Sequence, residues 1–159
     1  MTTVESIAAE LLARGWRMAT AESCTGGMIA SACTDLPGSS QWFAGSIVTY
    51  TVEWKCRYLG VPSQTIDQYG VVSNETALAM VNGCREHCGV EAAVAVTGIA
   101  GPTGAEPGKP LGTVFIAASA GPRPPVVRRY QFTGDRAAVR RAATTAALEL
   151  LLGEIRICP

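Results

Sequence analysis

Ser23 and Lys55 are the residues most able to do chemistry in this chain, if the fold brings them together. Ser23 stands in Glu22-Ser23-Cys24-Thr25-Gly26-Gly27, where an apolar run ends. Two further glycine-punctuated segments follow, Thr97-Gly98-Ile99-Ala100-Gly101-Pro102 and Thr133-Gly134-Asp135-Arg136. A helix start presents unpaired N–H groups and a partial positive charge, and glycine lets a ligand come close to the backbone. Backbone N–H groups around Thr25, Gly26 and Gly27 therefore suit an anion, either a phosphate or a developing oxyanion. A serine nucleophile also needs a base. The single histidine, His87, lies in an unpromising helical stretch, which argues against a Ser-His-Asp triad. Neither a GxSxG elbow nor a GxxxxGK[ST] phosphate loop occurs. A lysine whose pKa is brought down by burial or by nearby cations can take the role. Lys55 follows the run ending at Tyr50, and meets Ser23 if the two strands are parallel. Taken one at a time, Ser23 reads as a helix cap, Lys55 as a solvated helix residue, Tyr50 as a strand aromatic and Thr97 as a strand end. Arg136 opposes the dipole in the first turn of a helix, and its guanidinium fork suits phosphate or carboxylate.

These residues must be positioned by a fold. The chain has 159 residues, of which 48% are apolar and 16% charged, which predicts one domain with a single core over residues 1–159. Val4, Ile7, Ala8, Leu11 and Leu12 repeat at helical spacing and stop at Gly15. Trp16 to Ala21 reads as a strand, and Ser23 as the cap of a helix running to about Thr34. Ala44 to Tyr50 is the next strand, with a short helical stretch from Glu53 to Leu59. Ser73 opens a longer helix whose stripe is Ala77, Met80, Val81, Cys84 and Cys88. Ala92 to Val96 is apolar throughout, the mark of a strand buried on both faces. Gly98 to Gly112 is irregular, and a loop of that length is functional or disordered. Thr113 to Ser119 and Val126 to Phe132 suit an antiparallel pair. Asp135 caps a last helix that faces Val139, Ala142, Ala143, Ala146 and Leu150 inward. Strands and helices alternate early and hairpins come later, which predicts a three-layer α/β/α sandwich with a mixed central sheet.

Composition excludes several classes. Thirteen basic and thirteen acidic side chains cancel, which disfavours a nucleic-acid binder. The N-terminus carries Glu5 and Glu10 and does not read as a signal peptide, and the apolar tail from Ala142 to Leu152 is too short to span a bilayer. The expected setting is the cytoplasm, away from membranes. Six cysteines include no CxxC pair; Cys84, His87 and Cys88 could hold zinc in principle but fit better as helix residues, so no metal is expected.

The ordered set of motifs is recognisable. Thr20-Ala21-Glu22-Ser23-Cys24-Thr25-Gly26-Gly27, Gly38-Ser39-Ser40 before a strand ending in Thr49-Tyr50, Glu53 and Lys55 before Leu59-Gly60-Val61, Thr97 to Pro102, Lys109-Pro110, Gly112-Thr113-Val114 and Gly134-Asp135-Arg136 occur in that order. The chain resembles the CinA C-terminal domain family, over nearly its whole length and in the stand-alone form. The characterised members of that family are nicotinamide-nucleotide amidohydrolases. The resemblance implies hydrolysis of the carboxamide of nicotinamide mononucleotide, with Ser23 as nucleophile and Lys55 as base. Tyr50 and Thr97 would complete the polar site. Arg136 would bind substrate, with Cys24, Thr25, Gly26, Gly27, Gly98 and Gly101 around it. It also implies a small-molecule nucleotide as partner, no cofactor or metal, and a homo-oligomer. Either Ser23 attacks the amide or water attacks while Ser23 polarises it. A non-catalytic nucleotide-binding or partner protein of the competence or damage-inducible type is the alternative. Family members commonly carry Ser-Asn where this chain has Thr51-Val52, and an aspartate where it has Thr103.

Overall fold

The computed structural model describes residues 1–159. Six helices and five strands follow one another as α1 (Thr3–Arg14), β1 (Met18–Glu22), α2 (Met28–Thr34), β2 (Phe43–Val48), α3 (Val52–Leu59), α4 (Ser63–Tyr69), α5 (Asn74–Cys88), β3 (Ala92–Gly98), β4 (Thr113–Ala120), β5 (Val126–Gln131) and α6 (Arg136–Ile157), with a 3-10 turn at Ser39–Gln41. The strands form one sheet in the order β2-β1-β3-β4-β5. β1 is parallel to β2 and to β3, whereas β4 runs antiparallel to β3 and β5. Helices cover both faces, so the architecture is the three-layer sandwich with a mixed sheet.

The period-two alternation of β3 divides the core. Ala92, Val94 and Val96 join α1, α2 and α6 on one face, together with Ile7, Leu11, Ile29, Val139 and Leu151. Ala93 and Ala95 face α3, α4 and α5, together with Leu59, Ile66, Met80 and Val81. On this second face the sheet contributes mainly alanine, from Ala19, Ala21, Ala93, Ala95 and Ala117, so α5 seats close to it. Cys84 packs into that core, and His87 Nδ1 donates to the Gly83 carbonyl at 2.7 Å. β5 is an edge strand and turns Arg128, Arg129 and Gln131 to solvent, which blunts edge-to-edge pairing. No helix is long and apolar enough to cross a membrane.

The helix caps follow the local sequence in most places. Gly15 ends α1 in the left-handed region, Ser73 accepts from Thr76 N at the start of α5, and Asp135 accepts from Ala138 N at the start of α6. Two elements differ from the sequence expectation. α4 has a single buried side chain, Ile66, and so shows no apolar stripe to read. α2 begins at Met28 rather than at Ser23, for a reason that belongs to the site below.

The parallel triplet matters most for function. The chain passes from β1 to β2 on one side, then returns through α3, α4 and α5 to β3 on the other. Such a reversal opens a crevice beyond the carboxyl ends of the strands. Ser23 follows β1, Thr49 and Tyr50 follow β2, and Thr97 and Gly98 end β3, so all of them reach the same sheet edge.

One close contact fixes α3, the helix that carries Lys55. A Cβ built on Gly83 of α5 would lie 1.8 Å from the Leu59 carbonyl oxygen. Alanine is intrinsically better than glycine inside a helix by about 1 kcal/mol, but here overpacking, at roughly 1–3 kcal/mol, outweighs it. Gly83→Ala is expected to lower the midpoint of urea unfolding; a raised midpoint would mean that the α3–α5 contact yields freely.

Candidate active site

Lys55 is almost fully buried, at 1% exposure. α3 is capped by Thr51, whose hydroxyl accepts from Trp54 N at 3.3 Å, and its first turn aims Lys55 back under the end of β2. There Lys55 Nζ donates to the Thr49 carbonyl at 2.7 Å and lies 2.9 Å from Ser23 Oγ. No carboxylate pairs with it. Burial without a counter-charge disfavours the ammonium form and brings the amine down to about 8. A substantial neutral fraction therefore exists near neutral pH, and its lone pair can take the Ser23 proton. The neighbouring thiol is the opposite case. Burial pushes Cys24 up to about 11, so it stays protonated and is a poor nucleophile.

Ser23 belongs to a turn held by Glu22. The Glu22 carboxylate is fully buried and accepts from five donors: the hydroxyls of Thr25 and Ser46, and the backbone N–H groups of Gly27, Ile29 and Ala30, at 2.8–3.2 Å. Thr20 Oγ1 donates in turn to Ser46 Oγ at 2.7 Å. Glu22 thus supplies from upstream the cap that α2 would otherwise take from Ser23. That frees the Ser23 hydroxyl for Lys55 and moves the helix start to Met28. The backbone can make this turn only because Gly26 and Gly27 adopt φ of 58° and 102°, in the left-handed region.

Two arginines one turn apart on α6 close the other side. Arg136 donates to the Gly101 carbonyl at 2.9 Å and to the Tyr50 hydroxyl at 2.6 Å. Arg140 donates from Nε to the Cys24 carbonyl at 2.9 Å and from Nη2 to the Thr25 carbonyl at 3.2 Å. Tyr50 is 57% exposed, so the Tyr50–Arg136 pair forms a rim rather than a floor. Thr97 Oγ1 donates to the Val71 carbonyl at 2.8 Å, which ties the end of β3 to the segment before α5.

These groups surround a cavity of about 260 Å³. Of the residues expected at the site, Ser23, Cys24, Tyr50, Lys55, Thr97, Gly98, Gly101 and Arg136 line it. Thr25, Gly26 and Gly27 do not. The Thr25 hydroxyl and the Gly27 N–H are taken up by Glu22, and the Gly26 N–H by the Ser23 carbonyl at 3.0 Å. The loop after β3 adds Thr103, Gly104 and Glu106 to the lining. It is ordered by a two-way backbone bridge between Glu106 and Lys109 and by Lys109 Nζ donating to the Tyr69 carbonyl at 3.1 Å. Val52 is exposed outside the cavity, so its place in the sequence costs the site no polar contact. Sequence reasoning missed both Glu22 as an anchor and Arg140 as a site residue. The signal for Glu22 was an acid ending a buried strand just before a run of donors. For Arg140 it was the spacing of four from Arg136.

The depressed Lys55 pKa has a thermodynamic signature. The unfolded chain protonates this amine near 10.4 and the folded chain near 8. Between those values the unfolded state binds more protons, so stability rises with pH, by about 3 kcal/mol across the window for this one group. Below pH 8 both states are protonated and the penalty is fully present. Unfolding free energies measured from pH 7 to 10.5 are expected to climb more steeply in the wild type than in Lys55→Met, with the variant more stable at pH 7. Parallel curves would show that the amine is not destabilised by burial.

Residues 1–155 match the family model described as the CinA C-terminal domain. A Pseudomonas putida protein named nicotinamide-nucleotide amidohydrolase PncC is 52% identical over 136 residues, covering 86% of this chain and 84% of its own length. The protein of the same name from Escherichia coli strain K12 is 43% identical over 151 residues, covering 95% of this chain and 92% of its own. Other relatives are longer: the chain spans only 38% of a CinA-like protein from Geotalea daltonii, at 46% identity. Among solved structures, the competence damage-inducible protein A from Klebsiella pneumoniae superposes with a TM-score of 0.94 at 34% identity, covering 99% of this chain and 97% of its own. On the family match, the sequence identities and the shared fold together, this chain belongs to the CinA C-terminal domain family.

Proposed function

We propose that the chain is an amidohydrolase that converts nicotinamide mononucleotide to nicotinate mononucleotide and ammonia. The observation that carries this reading is the 2.9 Å approach of Lys55 Nζ to Ser23 Oγ in a buried setting where no carboxylate pairs with the amine. An amide is a weak electrophile, and its hydrolysis requires an activated nucleophile and a proton for the leaving amine. The two similar proteins named nicotinamide-nucleotide amidohydrolase support the choice of amide.

The charges suit the substrate. Its oxidised pyridinium ring is positive and its phosphate negative. Glu106 is the one carboxylate that lines the cavity, and Arg136 stands at the rim. The cavity is smaller than the ~300–1,000 Å³ of pockets that engulf a whole drug-sized ligand. It takes the ring and its carboxamide, and leaves the ribose phosphate toward Arg136.

The steps balance through one proton. Neutral Lys55 takes the Ser23 proton as Oγ bonds to the carboxamide carbon, and the π pair moves to oxygen. The intermediate collapses by breaking the C–N bond, and the Lys55 ammonium returns the proton so that ammonia leaves. Water then attacks the acyl-serine and gives a proton to Lys55. Breaking the ester bond lets the Lys55 ammonium give Ser23 its proton back and releases the carboxylic acid, which loses its own proton to water.

Ammonia release from nicotinamide mononucleotide tests the reading. The wild type is expected to turn over with a rate rising through pH 8, since the neutral amine is the active form. Ser23→Ala and Lys55→Met are expected to lose about 10³-fold or more. Tight nucleotide binding with no ammonia from the wild type would replace this reading with a nucleotide-binding role. Activity undiminished in Ser23→Ala would move the chemistry elsewhere.

A further inference from the structure

The turn after β1 uses its hydrogen-bonding groups unevenly. The carbonyls of its first three residues are engaged: Ser23 O accepts from Gly26 N, Cys24 O from Arg140 Nε, and Thr25 O from Met28 N and Arg140 Nη2. Its later N–H groups are engaged as well, Gly26 with the Ser23 carbonyl and Gly27 with Glu22. Like that of Ser23, the N–H groups of Cys24 and Thr25 have no partner within the chain, although all three residues are buried. Buried N–H groups without a partner are rare and call for one.

A peptide unit is planar and trans, so its C=O and N–H point in opposite directions. The guanidinium that holds the Cys24 carbonyl therefore turns the Thr25 N–H in the opposite direction within that plane, away from Arg140. The Gly26 N–H that holds the Ser23 carbonyl does the same for the Cys24 N–H. Both donors belong to the two residues that follow Ser23; Cys24 lines the cavity and Thr25 stands outside its lining. A cation on the carbonyl of an amide also polarises it and strengthens its N–H as a donor.

We infer that the N–H groups of Cys24 and Thr25 receive the oxyanion formed when Ser23 adds to a carboxamide, and that Arg140 is the positioning residue that aims them. The inference rests on the amidohydrolase reading and extends it: Arg140 touches neither substrate nor the reacting atoms, and acts through two backbone carbonyls. Arg136, one turn earlier, holds the rim instead, so the two arginines divide substrate placement from oxyanion stabilisation. Lysine cannot replace the fork, because a single ammonium does not span both carbonyls in the same way.

The test uses the full chain and two ligands: nicotinamide mononucleotide, and the same nucleotide with an aldehyde in place of the carboxamide. Ser23 adds to the aldehyde carbon, the π pair moves to oxygen and Lys55 takes the serine proton, which leaves an oxyanion without a leaving group. Loss of one such donor costs about 10²–10³ in turnover elsewhere. Arg140→Met, which disorders both, is expected to lower kcat by about 10²-fold with KM within about threefold. Its affinity for the aldehyde is expected to fall by the same factor as kcat, with Arg140→Lys in between. In the wild type, amide resonances of Cys24 and Thr25 are expected to shift downfield when the aldehyde is added, while those of Gly26 and Gly27 stay in place. That measurement needs no variant to fold. Unchanged kcat in Arg140→Met, or aldehyde-induced shifts at Gly26 and Gly27 alone, would overturn the assignment while leaving the amidohydrolase reading intact. A wild type that releases no ammonia would overturn that reading, and this inference with it.

Discussion

The whole site depends on keeping an amine out of water without giving it a counter-charge. An ammonium in such a place is normally paired, because desolvation outweighs what a carbonyl and a hydroxyl can return. Here the pairing is withheld: Lys55 meets Thr49 O and Ser23 Oγ only. The nearby acid, Glu22, has its two oxygens committed to the Ser23–Ala30 segment and to Ser46. One carboxylate therefore does two things. It folds the turn that presents Ser23, and its oxygens are not offered to the lysine. Were Glu22 to pair with Lys55, the amine would stay charged and the turn would lose its cap together.

The fold makes this arrangement available through its topology. Parallel strands on either side of β1 bring three chain segments to one edge of the sheet, and an alanine-rich sheet face lets α5 sit close. α5 then supports α3 at Gly83, and α3 carries Lys55. The opposite layer contributes α6, whose first two turns reach over the edge with Arg136 and Arg140, while its remaining turns pack in the main core with α1. Both layers thus enter the site through helix ends, and the sheet supplies its floor.

Much of this was legible in the residues. α1, α5 and α6 showed apolar stripes with caps at one or both ends. β3 showed an unbroken apolar run because both its faces are covered. Ser23 and Lys55 could be paired on the single assumption that β1 and β2 are parallel. The parts that were not legible share one physical cause, which is that they are tertiary. Glu22 caps a helix six residues downstream by reaching around a glycine turn, so a reading that pairs each helix with its nearest hydroxyl names Ser23 instead. Arg140 reads as a surface residue until its two carbonyl partners, more than a hundred residues earlier, are in view. α4 buries one side chain, too little for a pattern.

The thiol beside Ser23 has its own consequence. Cys24 is buried, protonated and locked by its backbone, and burial holds it near 11. Oxidants and alkylating reagents act on thiolate, so they find almost none here at the pH of a cell. The sulfur next to Ser23 is thereby insulated from oxidation, and the residue reports the burial of its surroundings rather than any reactivity of its own.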